Sequence, residues 1–317
     1  MSAAGPPLAA VTGGTGFVGR HIVAALSAAG WRLRLLVRRD PIHAQIPELD
    51  AEIVLGDLSD PDALARLCAG ADAVIHAAGA IKARDRAGFV AANVEGSAAL
   101  ARAATQAAPA ARLVVLSSLA ARAPELSDYA ASKRAGEAAL ADHASGPVVI
   151  LRPSAIYGRW DRETLPLFRM ARRGMVLAPQ SAAARVGLIH VRDVARAALA
   201  LATAGPRQAV YELTDETTSG YAWREIAEAA GKALETRPCL VPLPPAVVRA
   251  AALGSQAAHR LAGRTPILTL GKAREILHGD WGSSLANQPP RDLWRPGIAL
   301  NAGFSDTARW YRHRNWL

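Results

Sequence analysis

The sequence predicts an α/β chain: a doubly wound parallel sheet covered by helices on both faces, with a smaller, mainly C-terminal region attached. Three observations carry this. Short apolar runs alternate with longer helical patterns through the first half of the chain, the rhythm of right-handed βαβ crossovers. The first run ends in a glycine-rich turn that opens a helix. With 317 residues, 51% of them hydrophobic, the chain can bury one large core or two closely joined ones.

The elements follow in order. Strands are expected at 8–12, 32–37, 51–55, 72–77, 112–117 and 148–151, with helices beginning at Phe17, Pro61, Arg86 and Ser127. In SDPDAL, Asp60 has the character of an N-cap and Pro61 suits the first helical position. After Pro153 the rhythm loosens. Residues 154–185 read as an insertion with a helix over 164–173, and helix 191–204 and strand 208–214 return to the main sheet. A helix in TSGYAWREIAEAAGKAL, proline-rich turns, a helical pattern over 245–264 and a basic, Trp-rich end complete the chain. This divides it into 1–153 with 186–218, and 154–185 with 219–317.

Bulk properties narrow the partners. The formal net charge is +10 and the isoelectric point about 10.4, which favours a phosphorylated cofactor, nucleic acid or an anionic membrane surface. Nucleic acid is set aside, because no recognised binding motif or dense Lys/Arg helix occurs. Two distant cysteines, Cys68 and Cys239, fit a reducing compartment without disulfides or zinc, and the eight histidines show no metal-ligand spacing. No basic n-region precedes the first apolar run, and no uncharged stretch is long enough to span a bilayer. A cytoplasmic monomer or homodimer is expected.

In AAVTGGTGFVGRHIVAAL, Gly13 permits a tight turn, Gly16 lets the backbone approach a pyrophosphate, and Gly19 permits close helix–strand packing. Thr15, Phe17 and Val18 complete that turn. A dinucleotide site of the Rossmann type follows. The second strand ends LLVRRD, with Arg38 and Arg39 where an NAD-binding chain places a ribose-gripping acid. Guanidinium groups suit a 2′-phosphate, so NADP(H) is favoured over NAD(H), with Asp40 lying slightly late for the NAD alternative. Further along, Tyr129 and Lys133 stand one helical turn apart on one face, a spacing that does not by itself establish chemistry.

TGGTGFVG, GDLSD, HAAG, LSS, YAASK, LRPSAIYG and IHVRDVARA occur in that order. Together they resemble the extended short-chain dehydrogenase/reductase family, which includes sugar-nucleotide epimerases, dihydroflavonol reductases and 3β-hydroxysteroid dehydrogenases. The resemblance implies that Asp57 and Leu58 edge the adenine, that Ala77, Ala78 and Gly79 lie beside the cofactor, and that Pro153, Ser154 and Ile156 border the nicotinamide carboxamide. It implies a catalytic set of Ser118, Tyr129 and Lys133, with Ser117 the neighbouring alternative to Ser118. Tyr129 is then the general acid in reduction. Lys133 and the nicotinamide charge bring its pKa toward the working range, and Lys133 also bonds the nicotinamide ribose. Asn93 corresponds to a position that orders the site, or else to a helix-surface asparagine. His190 and Asp193 are expected to be structural.

Only LAARAPELSD separates Ser118 from Tyr129, where many members place a longer substrate-covering loop. This weighs against nucleotide sugars and leaves one side open. The expected activity is reduction of a ketone, or oxidation of the alcohol, on a bulky hydrophobic molecule such as an oxo-sterol or 3-oxo-ceramide. The alternatives are a sugar-nucleotide epimerase, with Arg185 or the Arg172/Arg173 pair as the diphosphate grip, and a non-catalytic cofactor-binding subunit. In 245–264, Val247, Ala250, Ala251, Ala257, Ala258 and Leu261 share one face, while Arg249, Gln256 and Arg260 share the other. That pattern fits a helix packed on the substrate region or, with Trp310, Trp316 and the arginines of the tail, peripheral contact with the anionic inner face of a membrane.

Overall fold

The structure, a computed structural model, describes residues 5–39, 50–181, 184–262, 265–266 and 268–317, without the side chain of Arg260. Asp40 therefore lies outside the described residues, as do Gly263 and Arg264 of the 245–264 pattern.

The first half runs β1 (Leu8–Thr12), α1 (Phe17–Ala28), β2 (Arg32–Val37), β3 (Ala51–Leu55), α2 (Pro61–Cys68), β4 (Ala73–His76), α3 (Arg86–Val90), a π-turn (Ala91–Glu95) and α4 (Gly96–Ala107). Then come β5 (Arg112–Leu116), α5 (Asp128–His143) and β6 (Val148–Pro153). Every residue of β1, β4 and β6 is buried, as central strands of a parallel sheet require. Asp60 caps α2 by accepting from the Ala63 amide at 2.9 Å, with Pro61 at the first position.

The second half contributes β7 (Ala155–Tyr157), α6 (Leu165–Arg172), β8 (Met175–Pro179), β9 (Arg185–Val186), β10 (Leu188–His190), α7 (Val191–Thr203) and β11 (Gln208–Leu213). After these lie α8 (Trp223–Leu234), β12 (Cys239–Leu243), α9 (Pro245–Leu261), α10 (Leu270–Leu277), β13 (Asp280–Trp281) and α11 (Leu300–His313). The main sheet is parallel and seven-stranded, in the order β11-β6-β5-β4-β1-β2-β3. The chain winds outward from β1 to β3, then returns to the other side of β1 as β4. The β1 and β4 ends thus form the switch point at which ligands of such sheets bind.

Three large cores and a small one between α9 and α10 organise the described residues. Ile22, Val23 and Leu26 of α1 pack with Val194 and Leu201 of α7 on one sheet face. Leu64, Leu67, Leu100 and Leu140 from α2, α4 and α5 cover the other. A third core joins Tyr157, Phe168, Ile226, Phe304 and Tyr311 in the C-terminal region. Burying Phe168 and Phe304 contributes roughly 1.5–3 kcal/mol each.

The expected order of elements is met, with local differences. The helix expected from Arg86 is interrupted by the π-turn at Asn93, and that expected from Thr218 begins only at Trp223, because Tyr221 first bridges to Val186. The Trp-rich tail is a helix, and its rings are taken up internally. Trp310 lies 4.8 Å from Trp160 and 5.0 Å from Trp316, while Trp316 stacks on Tyr311 at 5.7 Å. The tail therefore completes the third core and does not present these tryptophans as a membrane anchor. Helix α9 has the reverse outcome. Val248 and Ala252 pack on α10 with Ser255, Gln256 and His259 on the same side. The apolar face faces outward, with Val247 49% and Leu261 91% exposed.

Helix α5 approaches the π-turn so closely that a Cβ on Gly136 would stand 2.1 Å from the Asn93 carbonyl oxygen. Gly136→Ala is expected to destabilise the protein by about 1–3 kcal/mol through overpacking against backbone. Thermal melting measures this: a fall of several degrees is expected, and an unchanged Tm contradicts the close approach.

Candidate active site

The carboxyl ends of the parallel strands gather the residues singled out in the sequence. After β1 the chain turns through Gly13, whose φ of +71° is a conformation that glycine accepts without strain. A Cβ there would meet Ala78 N at 2.5 Å, and one on Gly19 would meet the Gly13 carbonyl oxygen at 2.0 Å, so both glycines are required by backbone packing. Thr15, Gly16, Phe17 and Val18 then lead into α1. That helix has no side-chain cap and no acid in its first turn, which leaves its N-terminal dipole able to receive an anion. Arg38 and Arg39 end β2 exposed to solvent. Asp57 and Leu58 follow β3. Leu58 packs where a Cβ on Gly96 would intrude, at 2.7 Å, and Asp57 accepts from the Ser59 amide and hydroxyl.

Ala77, Ala78 and Gly79 follow β4 over a buried polar chain. The Ala78 amide donates to Thr12 Oγ1 at 3.3 Å, and Thr12 Oγ1 meets His76 Nδ1 at 2.8 Å. His76 Nε2 meets Ser97 Oγ at 3.0 Å, and Ser97 donates to the Asn93 carbonyl at 2.8 Å. Because the Ser97 proton is committed to that carbonyl, Ser97 must accept from Nε2–H, and His76 Nδ1 must accept from Thr12. The imidazole is neutral in this scheme, and burial pushes its pKa down to about 3, with the Lys133 charge acting in the same direction.

Asn93 extends the chain to α5. It is buried, not a helix-surface residue; its amide donates to Ala80 O and Ser132 Oγ, and its Oδ1 accepts from Ala80 N. Ser132 in turn donates to the Tyr129 carbonyl at 2.8 Å. Helix α5 is capped by Ser127, which accepts from the Ala130 amide and donates to Glu275 of α10. Arg274 donates to the Leu126 carbonyl at 2.7 Å, so α10 sits against the short connection between Ser118 and Tyr129. The side expected to be open is therefore partly closed by the C-terminal region.

Ser118 stands near the Tyr129 hydroxyl and favours its phenolate form, and Phe89 lies 6.1 Å from the tyrosine ring. Ser117 is instead buried and donates to Glu137 Oε1 at 2.5 Å. Lys133 Nζ donates to the Leu116 carbonyl at 2.8 Å and lies 3.7 Å from the Cβ position of Gly79. Pro153 ends β6, Ser154 follows it, and Ile156 lies in β7. Ser154 Oγ is buried without a hydrogen-bond partner among the described residues, as suits a group that meets a bound amide. An uncapped helix, close glycines and an orphaned hydroxyl fit a nicotinamide dinucleotide.

Comparison with known proteins agrees. Residues 9–213 match the model of the NAD dependent epimerase/dehydratase family. The chain belongs to this family. It is 46% identical to a ceramide reductase of Caulobacter vibrioides over 310 residues, which cover 97% of this chain and 95% of that one. It is 32% identical to a 4-hydroxy-2-methyl-3-oxo-4-farnesyl-3,4-dihydroquinoline-1-oxide ketoreductase of Stigmatella aurantiaca, covering 65% and 67%. Among solved structures, gox2253 superposes with a TM-score of 0.74 at 26% identity, covering 97% of this chain and 98% of that one. The UDP-glucose 4-epimerase of Thermus thermophilus, complexed with NAD, gives 0.70 at 23%, covering 96% and 99%, a likeness of fold. The protein is an NAD(P)-dependent extended short-chain dehydrogenase/reductase, a reductase that acts on a small molecule.

Within this family member, the protein's own groups do not bring Tyr129 toward neutrality. Burial at its hydroxyl pushes the phenol up to about 12 against the lowering effect of the Ser118 side chain, and Glu275 adds to the rise. The Lys133 ammonium donates to the Leu116 carbonyl in this arrangement. Sequence reasoning also gave no role to His76, Ser97, Ser132, Glu137 or Glu275. His76 lies in HAAG and Ser132 in YAASK. Glu137 stands four residues beyond Lys133, a spacing that was legible.

Lys133 is pushed down to about 8 by burial, against the raising effect of Glu137. Competitive acetylation across a pH series is expected to give Lys133 a reactivity midpoint near 8 in the cofactor-free protein. A midpoint at the ordinary lysine value contradicts its burial.

Proposed function

We propose that this reductase uses NADPH to reduce a ketone on a bulky, lipid-like molecule, with a 3-oxo-ceramide or an oxo-sterol as the substrate type. The observation that carries the reading is the gathering of Ser118 and Tyr129 one helical turn from Lys133, whose Nζ lies 3.7 Å from the Cβ position of Gly79. The 46% identity with a ceramide reductase over nearly the whole chain supports the substrate class. Bound nicotinamide supplies a hydride to the carbonyl carbon. Ser118 Oγ holds the carbonyl oxygen, and Tyr129 gives its hydroxyl proton to that oxygen as charge develops there. The high pKa of the phenol keeps the proton in place before reaction, and the nearby Lys133 charge stabilises the phenolate afterwards. Gly13, Thr15, Gly16, Phe17, Val18 and Gly19 hold the pyrophosphate. Asp57 and Leu58 hold the adenine, Ala77, Ala78 and Gly79 flank the cofactor, and Pro153, Ser154 and Ile156 border the carboxamide.

Arg38 and Arg39 bind the 2′-phosphate, and the exposed apolar face of α9, flanked by Arg249, rests on an anionic membrane from which the substrate arrives. An apolar helix face left outward on a chain of charge +10 suits that surface.

Tyr129→Phe is expected to keep NADPH binding and lower turnover about a hundredfold or more. Turnover at the parent rate discards the proton donor, and activity confined to nucleotide sugars in a substrate panel promotes the epimerase reading. NADPH is expected to bind more tightly than NADH by about 1–3 kcal/mol, a preference that Arg38→Asp narrows or reverses. Equal affinities in the parent protein contradict it. In liposome flotation, the protein is expected to rise with anionic vesicles and to lose this on Val247→Glu with Leu261→Glu. Flotation unaffected by those changes removes α9 from the contact.

A further inference from the structure

We propose that Glu137 is a positioning residue for the reduction: a buried carboxylate that holds α5 in register with the strand end carrying Ser118 and stands one turn beyond Lys133 on the same helix. The inference rests on the roles proposed above for Ser118, Tyr129 and Lys133.

The geometry is compact. Glu137 is 6% exposed. Its Oε1 accepts from Ser117 Oγ at 2.5 Å and Arg152 Nε at 2.8 Å, and its Oε2 accepts from a terminal Arg152 nitrogen at 2.5 Å. One carboxylate thus ties β5, α5 and β6 together. Ser117 is covalently next to Ser118, so its bond to Glu137 sets where the Ser118 hydroxyl stands relative to Tyr129 on the same helix. A buried ion pair is a weak source of stability, because apolar residues of equal volume serve as well. What an apolar replacement lacks is the fixed charge. Lys133 and Glu137 lie at i and i+4 on one helix face, with the carboxylate offsetting part of the cost of burying the ammonium.

Other charges complete the surroundings. Lys133 is faced by the neutral His76 of β4, the Leu116 carbonyl of β5 and Tyr129 of its own helix. Gly79 sets the uncharged Asn93 amide near it. Glu275 of α10 acts on Tyr129. Around Glu137 stand Arg134 at 3.7 Å and Arg152, which also feels Glu212 of β11, itself 3.6 Å from Arg122.

Glu137→Gln keeps the shape and removes the charge. Competitive acetylation is expected to show the Lys133 midpoint about one pH unit lower than in the parent. The alkaline limit of kcat should move the same way, with kcat at least tenfold lower and KM for NADPH unchanged. A lower rate with both midpoints in place means a merely structural role and overturns the proposal. Because that variant leaves Arg152 buried beside a neutral amide, the double variant Glu137→Gln with Arg152→Gln removes both charges. It too is expected to keep a lowered Lys133 midpoint, and a return to the parent value overturns the proposal. Labelling needs no turnover, so inactivity of the parent toward every ketone would count against the proposed function, whereas an unmoved midpoint counts against Glu137.

Discussion

Helix α5 can lie where it does because Gly136 has no side chain. Its backbone meets the carbonyl of Asn93 at a distance that excludes even a methyl group. The π-turn makes the other half of the contact, since it breaks the α3–α4 ladder at the residue that must turn both its carbonyl and its side chain inward. Everything at the site depends on this contact. Tyr129 and Lys133 ride on α5, Ser132 joins the helix to Asn93, and Ser97 joins Asn93 to His76 at the end of β4.

The polar chain from Ala78 to Tyr129 runs through a region where an unpaired donor would cost several kcal/mol. Its members avoid this by having one proton direction along the chain. A neutral histidine with a donor on one nitrogen and an acceptor on the other is the residue type that can stand between Thr12 and Ser97. The same burial acts on the titrating groups, raising the phenol of Tyr129 and lowering the ammonium of Lys133. Both groups are thus held toward their neutral forms by the protein, and the charges that offset this are few and specific.

The C-terminal region closes the site without belonging to the sheet. Arg122 donates to the carbonyls of Asp280 and Gly282, and α10 rests on Ser127. The short connection after Ser118 is therefore a docking place for α10. Its partner α9 packs through Val248 and Ala252 and leaves a second apolar face, with Val247 and Leu261, outward.

Much of this was legible in the amino-acid order. Periodicity alone located β1 to β6, α1 and α2, because short-range patterns determine whether a segment buries two faces or one. The glycine turn and the Tyr129–Lys133 spacing are local facts of the chain. Tertiary structure decided what depends on distant partners. Ser117 and Ser118 are indistinguishable in sequence, and only Glu137, twenty residues later, separates them by occupying one. Whether Asn93 was surface or core depended on Ala80 and Ser132, and whether the tail tryptophans faced outward depended on Trp160 and Tyr311. The orientation of α9 likewise followed from α10, since a helix carries its two faces in its sequence but not the choice of which one is buried.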